Sequence, residues 1–187
     1  MLSGREIARE VTSTSKRIII SPFNPKYVGP NSYDLTLAQT LKCYTIGRNL
    51  LDESQIAGGF LDPKVQNETV RHLIPEDGII LLPNQLYLGH TVETAGSDYY
   101  IPCIEGRSSI ARLGVQIHMT AGFGDVGFIG QWTLEIQVAH PVKLYAGMRV
   151  CQIYFQPIVG EFDLYNGKYL HSKGVIASKI NEDKELL

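Results

Sequence analysis

The chain has 187 residues, 44% of them hydrophobic and 19% charged, and 17 basic against 19 acidic side chains leave a formal charge of −2. A chain this long buries roughly 70% of the surface its unfolded form exposes, so its core needs neither disulfides nor a structural metal. The near-neutral balance argues against a nucleic-acid-coating protein, because such binding rests on many Lys and Arg contacts to phosphate; it leaves room for one small anionic ligand. Cys43, Cys103 and Cys151 are too few and scattered for a disulfide framework, which points to a reducing compartment. Arg5, Glu6, Arg9 and Glu10 stand where a signal peptide needs an apolar run, and no stretch approaches the ~18 apolar residues of a membrane span. The expectation is a cytoplasmic protein without membrane contact, built as one domain over residues 1–187.

In chain order, Ser3 followed by Glu6 has capping-box spacing, and Ile7 and Val11 share a face, which predicts a helix over 4–12. Beyond it, β-branched and aromatic runs broken by Gly, Pro, Asn or Asp predict strands over 17–20, 32–37, 41–46, 79–82, 86–94, 99–105, 132–138, 142–145 and 149–158. Residues 49–71, rich in polar side chains, read as a long connection with a strand at either end. Ser-Ser-Ile-Ala-Arg-Leu-Gly at 108–114 offers a serine N-cap, helix formers and a terminal glycine, hence one or two helical turns. Many short strands with frequent turns indicate a mainly β jelly roll or distorted barrel, with a short N-terminal and a short central helix. From Glu161 onward the strand rhythm is lost, and the tail is either frayed or a flap that orders on a ligand.

Zinc chemistry lacks its ligand spacing. Pro102-Cys103 is followed three residues on by Gly106, not by the second cysteine of a zinc deaminase, and His72, His90 and His118 read as strand residues with satisfied ring nitrogens. Gly122, Gly124 and Gly127 have dinucleotide-motif spacing, but a strand pattern follows where a helix is needed, so they read as a glycine-rich turn.

The string Gly106-Arg107-Ser108-Ser109-Ile110-Ala111-Arg112-Leu113-Gly114 combines a backbone that a ligand can approach closely, two hydroxyls and two guanidiniums. It suits an oxyanion, and equally a capped surface helix with solvated arginines. Asp125 lies in the glycine-rich turn that follows. In 131–136, Trp132, Leu134 and Ile136 share one strand face, while Thr133 and Glu135 share the other. Glu135 is therefore either an exposed carboxylate or one held at a site that raises its pKa.

These strings together closely resemble the dCTP deaminase family, which shares the trimeric dUTPase fold. The carriers are Pro30-Asn-Ser-Tyr-Asp34-Leu, the 106–114 string, Thr120-Ala with Asp125 and Gly127, Leu134-Glu135, Gly147-Met-Arg-Val-Cys-Gln152, Lys168-Tyr169 and Ser172-Lys-Gly. A plain dUTPase would have an Asn near Glu135, a Tyr near Phe128 and a glycine-rich arm carrying Arg and Phe, so the resemblance favours deamination. It implies metal-independent, zinc-free hydrolysis of dCTP to dUTP and ammonia, with Glu135 as general base and proton shuttle and with Ser108 and Arg112 holding the water and tetrahedral centre. It assigns Arg107, Ser108, Ser109, Ile110, Ala111 and Arg112 to the substrate cradle, Asp125 to the deoxyribose 3′-hydroxyl, and Thr133 and Leu134 to the pyrimidine edge. Gln152, Tyr165, Lys168 and Ser172 become triphosphate contacts. It further implies Mg²⁺ carried by the triphosphate without a protein ligand, a homotrimer with sites between subunits, and residues 161–187 as a lid.

Two alternatives stay open. One is the bifunctional form that releases dUMP and diphosphate, which Thr120-Ala-Gly, Phe128 and Gln152 favour and the Gly124-Asp125-Val126 turn does not. The other is a catalytically silent nucleotide-binding relative.

Overall fold

The computed structural model describes residues 1–45 and 60–183, so the part of the long connection before residue 60 and the last residues of the tail lie outside the described residues. Helix α1 (Gly4–Thr12) starts where the capping box places it, with Ser3 Oγ accepting from the Glu6 amide at 3.2 Å. Ile7 is fully buried on the expected face, and Glu10, on the same helix, is 2% exposed. Arg17 is what makes that burial tolerable: its Nε donates to Glu10 at 2.8 Å, and the pair holds the Glu10 carboxyl below its ordinary range.

The strands are β1 (Ile19–Ser21), β2 (Tyr33–Thr36), β3 (Thr40–Tyr44), β4 (Thr69–Leu73), β5 (Ile79–Leu81), β6 (Tyr87–Gly96), β7 (Tyr100–Gly106), β8 (Val115–Gln116), β9 (Ile129–Val138), β10 (Val142–Leu144) and β11 (Arg149–Pro157). Within the described residues every strand read from the sequence appears, while a strand read at the start of 49–71 lies outside them; the two-residue β8 is too short to leave a pattern. The largest sheet runs β4-β3-β6-β9-β8 with β1 added on β6, the second runs β2-β11-β7, and β5 pairs with β10. The architecture is mainly β as expected, but among the described residues the sheets remain separate and do not close into a barrel.

Strand β9 shows why the sequence folds this way. Trp132, Leu134 and Ile136 are 8%, 1% and 0% exposed, whereas Thr133 and Glu135 between them stay half-buried on the other face. Each such buried side chain contributes about 1.5–3 kcal/mol, and moving the register by one residue would exchange the faces.

Opposite β9, the pairing of β6 shifts between His90 and Thr94. The shift lets Thr91 Oγ1 accept from the Trp132 amide at 3.0 Å, and it sends Glu93 inward, 2% exposed. The Glu93 carboxyl accepts from the amide and hydroxyl of Thr36 at 2.9 and 2.8 Å; burial pushes it up, and these bonds pull it back in part. Glu93 thus ties β2 to β6 just behind the middle of β9.

The central helix α2 (Ser108–Ala111) corrects one expectation. Its N-cap is Arg107, which makes no side-chain cap bond, and Ser108 is already helical. A four-residue helix presents little macrodipole, so any anion affinity here rests on side chains.

Candidate active site

Glu135 projects from β9 into a cavity of about 450 Å³ lined by apolar side chains including Leu86, Leu88, Phe128, Trp132 and Ile176. Burial pushes its carboxyl above the ordinary range, opposed by the Met119 amide, which donates to Oε2 at 3.4 Å, and by nearby His118. A carboxyl held above its ordinary range in a cavity marks a candidate functional group. His118 itself departs from the expectation. It lies past the end of β8, and its Nδ1 is buried without a hydrogen-bond partner. His90 fits better: it is buried on β6, with Nδ1 2.9 Å from the Thr91 carbonyl.

The tail is packed rather than frayed. The Ser172 carbonyl accepts from the Gln131 amide at 2.8 Å, the Gly174 amide donates to Gln131 Oε1 at 2.6 Å, and the Ile176 amide donates to Thr133 Oγ1 at 3.2 Å. Further along, the Ser178 amide donates to the Tyr44 hydroxyl at 2.9 Å. This path runs along the outward face of β9 and covers the Glu135 cavity. Gly130 makes room for it, since a Cβ there would stand 3.0 Å from the Ser172 nitrogen.

The other residues singled out in the sequence fall elsewhere. Asp125 is exposed and, with Tyr165, lines a second hollow of about 420 Å³ against Ile101, Phe123 and Phe162. Arg107, Ser108, Ser109 and Gln152 line a third, polar cleft of about 420 Å³ with Asp34 and Arg149. The glycine-rich turn between these regions is a turn as read, with the Gly122 carbonyl accepting from the Ile104 amide at 2.7 Å and the Gly124 amide donating to Pro102. Ile110 and Leu134 are core side chains, 5% and 1% exposed, so only their backbones could meet a ligand. Ala111 and Arg112 are exposed and line none of the three hollows. Lys168 pairs with Asp183 at 2.5 Å, and Ser172 Oγ donates to the Tyr169 carbonyl at 2.6 Å.

Within a single chain, Arg107, Arg112 and Lys168 do not share one cleft. The chain joins Thr133, Glu135 and Ser172 in one place, and Arg107, Ser108, Ser109 and Gln152 in another. Tyr44 and Gln131 were missed as cavity-lining residues because their strand positions carry no motif; Tyr169, Asp34 and Arg149 stand in strings that carry the resemblance, but nothing local indicates what they face.

A largely apolar cavity holding a carboxyl thus lies apart from a polar cleft bearing Lys26, Arg107 and Arg149. Residues 1–158 match the family model described as dCTP deaminase-like, and the chain belongs to that family. A relative from Clostridium acetobutylicum, named dCTP deaminase, dUMP-forming, is 47% identical over 184 residues, covering 98% of both chains. One of the same name from Cytophaga hutchinsonii is 43% identical over 186 residues, covering 99% of each. Among solved structures, the 2′-deoxycytidine 5′-triphosphate deaminase of Agrobacterium tumefaciens superposes with a TM-score of 0.58 at 20% identity. That match covers 83% of this chain and 48% of that one, and it shows a likeness of fold alone.

Proposed function

We propose that the chain hydrolyses dCTP in two reactions: deamination at C4 of cytosine, and cleavage of the α,β-phosphoanhydride to release dUMP and diphosphate. The observation that carries the first is Glu135, a carboxyl pushed up by burial in an apolar, tail-covered cavity on the face it shares with Thr133. Glu135 takes a proton from water as the oxygen adds to C4 and passes it to N3; it then carries the proton of the new C4 hydroxyl to the amino group, so that C4=O forms as the C4–N bond breaks and ammonia leaves. Thr133 and the Leu134 backbone read the pyrimidine edge, and Asp125 takes the deoxyribose 3′-hydroxyl.

The second reaction replaces the leading sequence reading, dUTP as sole product, with its alternative. Full-length relatives at 43–47% identity carry the dUMP-forming name, which supports that choice.

Ser108 and Arg112 lie outside the Glu135 cavity of their own chain, which supports a site completed by a neighbouring copy in a homotrimer. The tail from residue 161 is the lid in this reading. Mg²⁺ bound to triphosphate oxygens would offset part of the ligand's charge. The polar cleft offers hydroxyls, an amide, guanidiniums and one carboxylate with both oxygens engaged, a donor set that fits a metal arriving with the nucleotide and taking no protein ligand.

The test is incubation with dCTP and Mg²⁺ followed by separation of products by charge. dUMP and diphosphate are expected. dUTP alone reduces the protein to the simple deaminase, and unchanged dCTP overturns the enzymatic reading.

A further inference from the structure

Asp34 belongs to a string that carries the family resemblance, yet the reaction above gives it no task. Tyr33 and Leu35 on either side are fully buried, so strand alternation turns Asp34 outward into the polar cleft. It stands opposite Gln152 across the β2–β11 pair, with its side chain 15% exposed. Oδ1 lies 3.0 Å from Arg107 Nε, and Oδ2 accepts from Arg149 Nη1 at 3.1 Å.

Arg149 reaches this face because of an irregularity. On a regular strand, Arg149 and Gln152 would point to opposite sides, being three residues apart. The pairing of β11 shifts between Arg149 and Cys151, and Val150 and Cys151 are both fully buried in succession. Such a bulge re-aims a side chain, here onto the face of Asp34 and Gln152. The guanidinium is then steadied 5.3 Å above the Tyr27 ring, and the Arg149 carbonyl accepts from Arg107 Nη1 at 3.1 Å.

A guanidinium has five N–H groups. Arg107 uses one in a hydrogen bond, on the Arg149 carbonyl, while its Nε forms an ion pair with Asp34; Arg149 uses one, on Asp34, so most of the N–H groups of both forks stay available. With Lys26 also on the cleft wall, one carboxylate faces three cations. An ordinary surface ion pair matches one charge to one and contributes little. Here one carboxylate fixes two forks and leaves positive charge and donors in excess, the arrangement that phosphate oxygens accept bidentately.

We infer that Arg149 is a direct polyphosphate-binding residue and that Asp34 is the positioning residue that sets both the Arg107 and the Arg149 guanidinium. The inference rests on the proposed reading of this cleft as the triphosphate end of the site.

Calorimetric titration of the assembled protein with dCTP, dCMP and inorganic tripolyphosphate tests it. Arg149→Ala is expected to weaken dCTP and tripolyphosphate by about ten- to a hundredfold, the loss of charge-assisted hydrogen bonds, with dCMP affected far less. Arg149→Lys should restore only part, since it returns the charge without the fork. Asp34→Asn should lower the dCTP-to-dCMP affinity ratio in the same direction, a ratio that a purely structural role would leave unmoved. The inference is overturned if a folded Arg149→Ala protein binds dCTP as tightly as the parent, or loses dCTP and dCMP equally. If the parent protein ignores dCTP but binds tripolyphosphate through Arg149, the functional reading fails while the polyphosphate cleft stands.

Discussion

The Glu135 cavity and the Arg107–Arg149 cleft place carboxylates in opposite settings. Glu135 sits in a largely apolar cavity, accepting from the Met119 amide near His118, and burial pushes its carboxyl up. Asp34 sits among cations, with each oxygen on a guanidinium. The first setting makes a proton easy to hold and return; the second makes charge easy to receive. A largely apolar pocket disfavours a solvated polyanion, and a cationic cleft lowers the pKa of a carboxyl, so on the proposed reading the two settings gain from being kept apart. Glu93 links them, bonding through Thr36 to the strand that bears Asp34 and lying behind the strand that bears Glu135.

Glu135→Gln should separate the two regions most strongly. Deamination should fall by at least about a hundredfold in a product assay, the usual contribution of a general base, while dCTP affinity stays within a few-fold. Deamination at the parent rate would remove Glu135 from the chemistry.

Next in size is Glu93→Ala, which strands the Thr36 amide and hydroxyl in the core. Urea unfolding should show a loss of roughly 2–4 kcal/mol, and both regions should weaken together, in contrast to the selective effect at Glu135.

Thr133→Val removes the acceptor for the Ile176 amide at nearly constant volume. The tail should become more sensitive to limited proteolysis by a few-fold, while tripolyphosphate binding at the polar cleft is unchanged.

The smallest effect is in stability against pH. The Glu135 carboxyl is raised in the folded state, so its contribution is fully present below the ordinary glutamate pKa and is lost as pH rises through the raised value. Glu135→Gln should therefore gain thermal stability relative to the parent at neutral pH, and the difference should vanish in acid. Glu10 runs the other way: its depressed carboxyl stabilises above the ordinary value, and that contribution is lost as pH falls through the folded one. An Arg17→Met protein should lose part of that acid sensitivity in the same melting series.

Much of the fold was legible in the chain. Ser3 with Glu6 marked the start of α1, and the alternation from Trp132 to Ile136 assigned both faces of β9, placing Glu135 beside Thr133, because helix caps and strand faces are set by neighbours within a few residues. The 106–114 string marked its polar residue types, and the structure places Arg107, Ser108 and Ser109 on one polar cleft. The cap of α2 was misread because Ser108 favours both the cap and the first turn, and tertiary context chose between them.

Composition and local pattern thus determined a mainly β chain with a carboxyl on a half-buried strand face and a cationic turn. Only the tertiary structure decided that these belong to separate hollows, that the tail returns over β9, that a bulge aims Arg149 at Asp34, and that Glu93 is buried on Thr36, 57 residues away. The reason is physical: periodicity tells a side chain which face it takes, but the partner waiting on that face comes from a distant strand, and its placement depends on register shifts that no local pattern encodes.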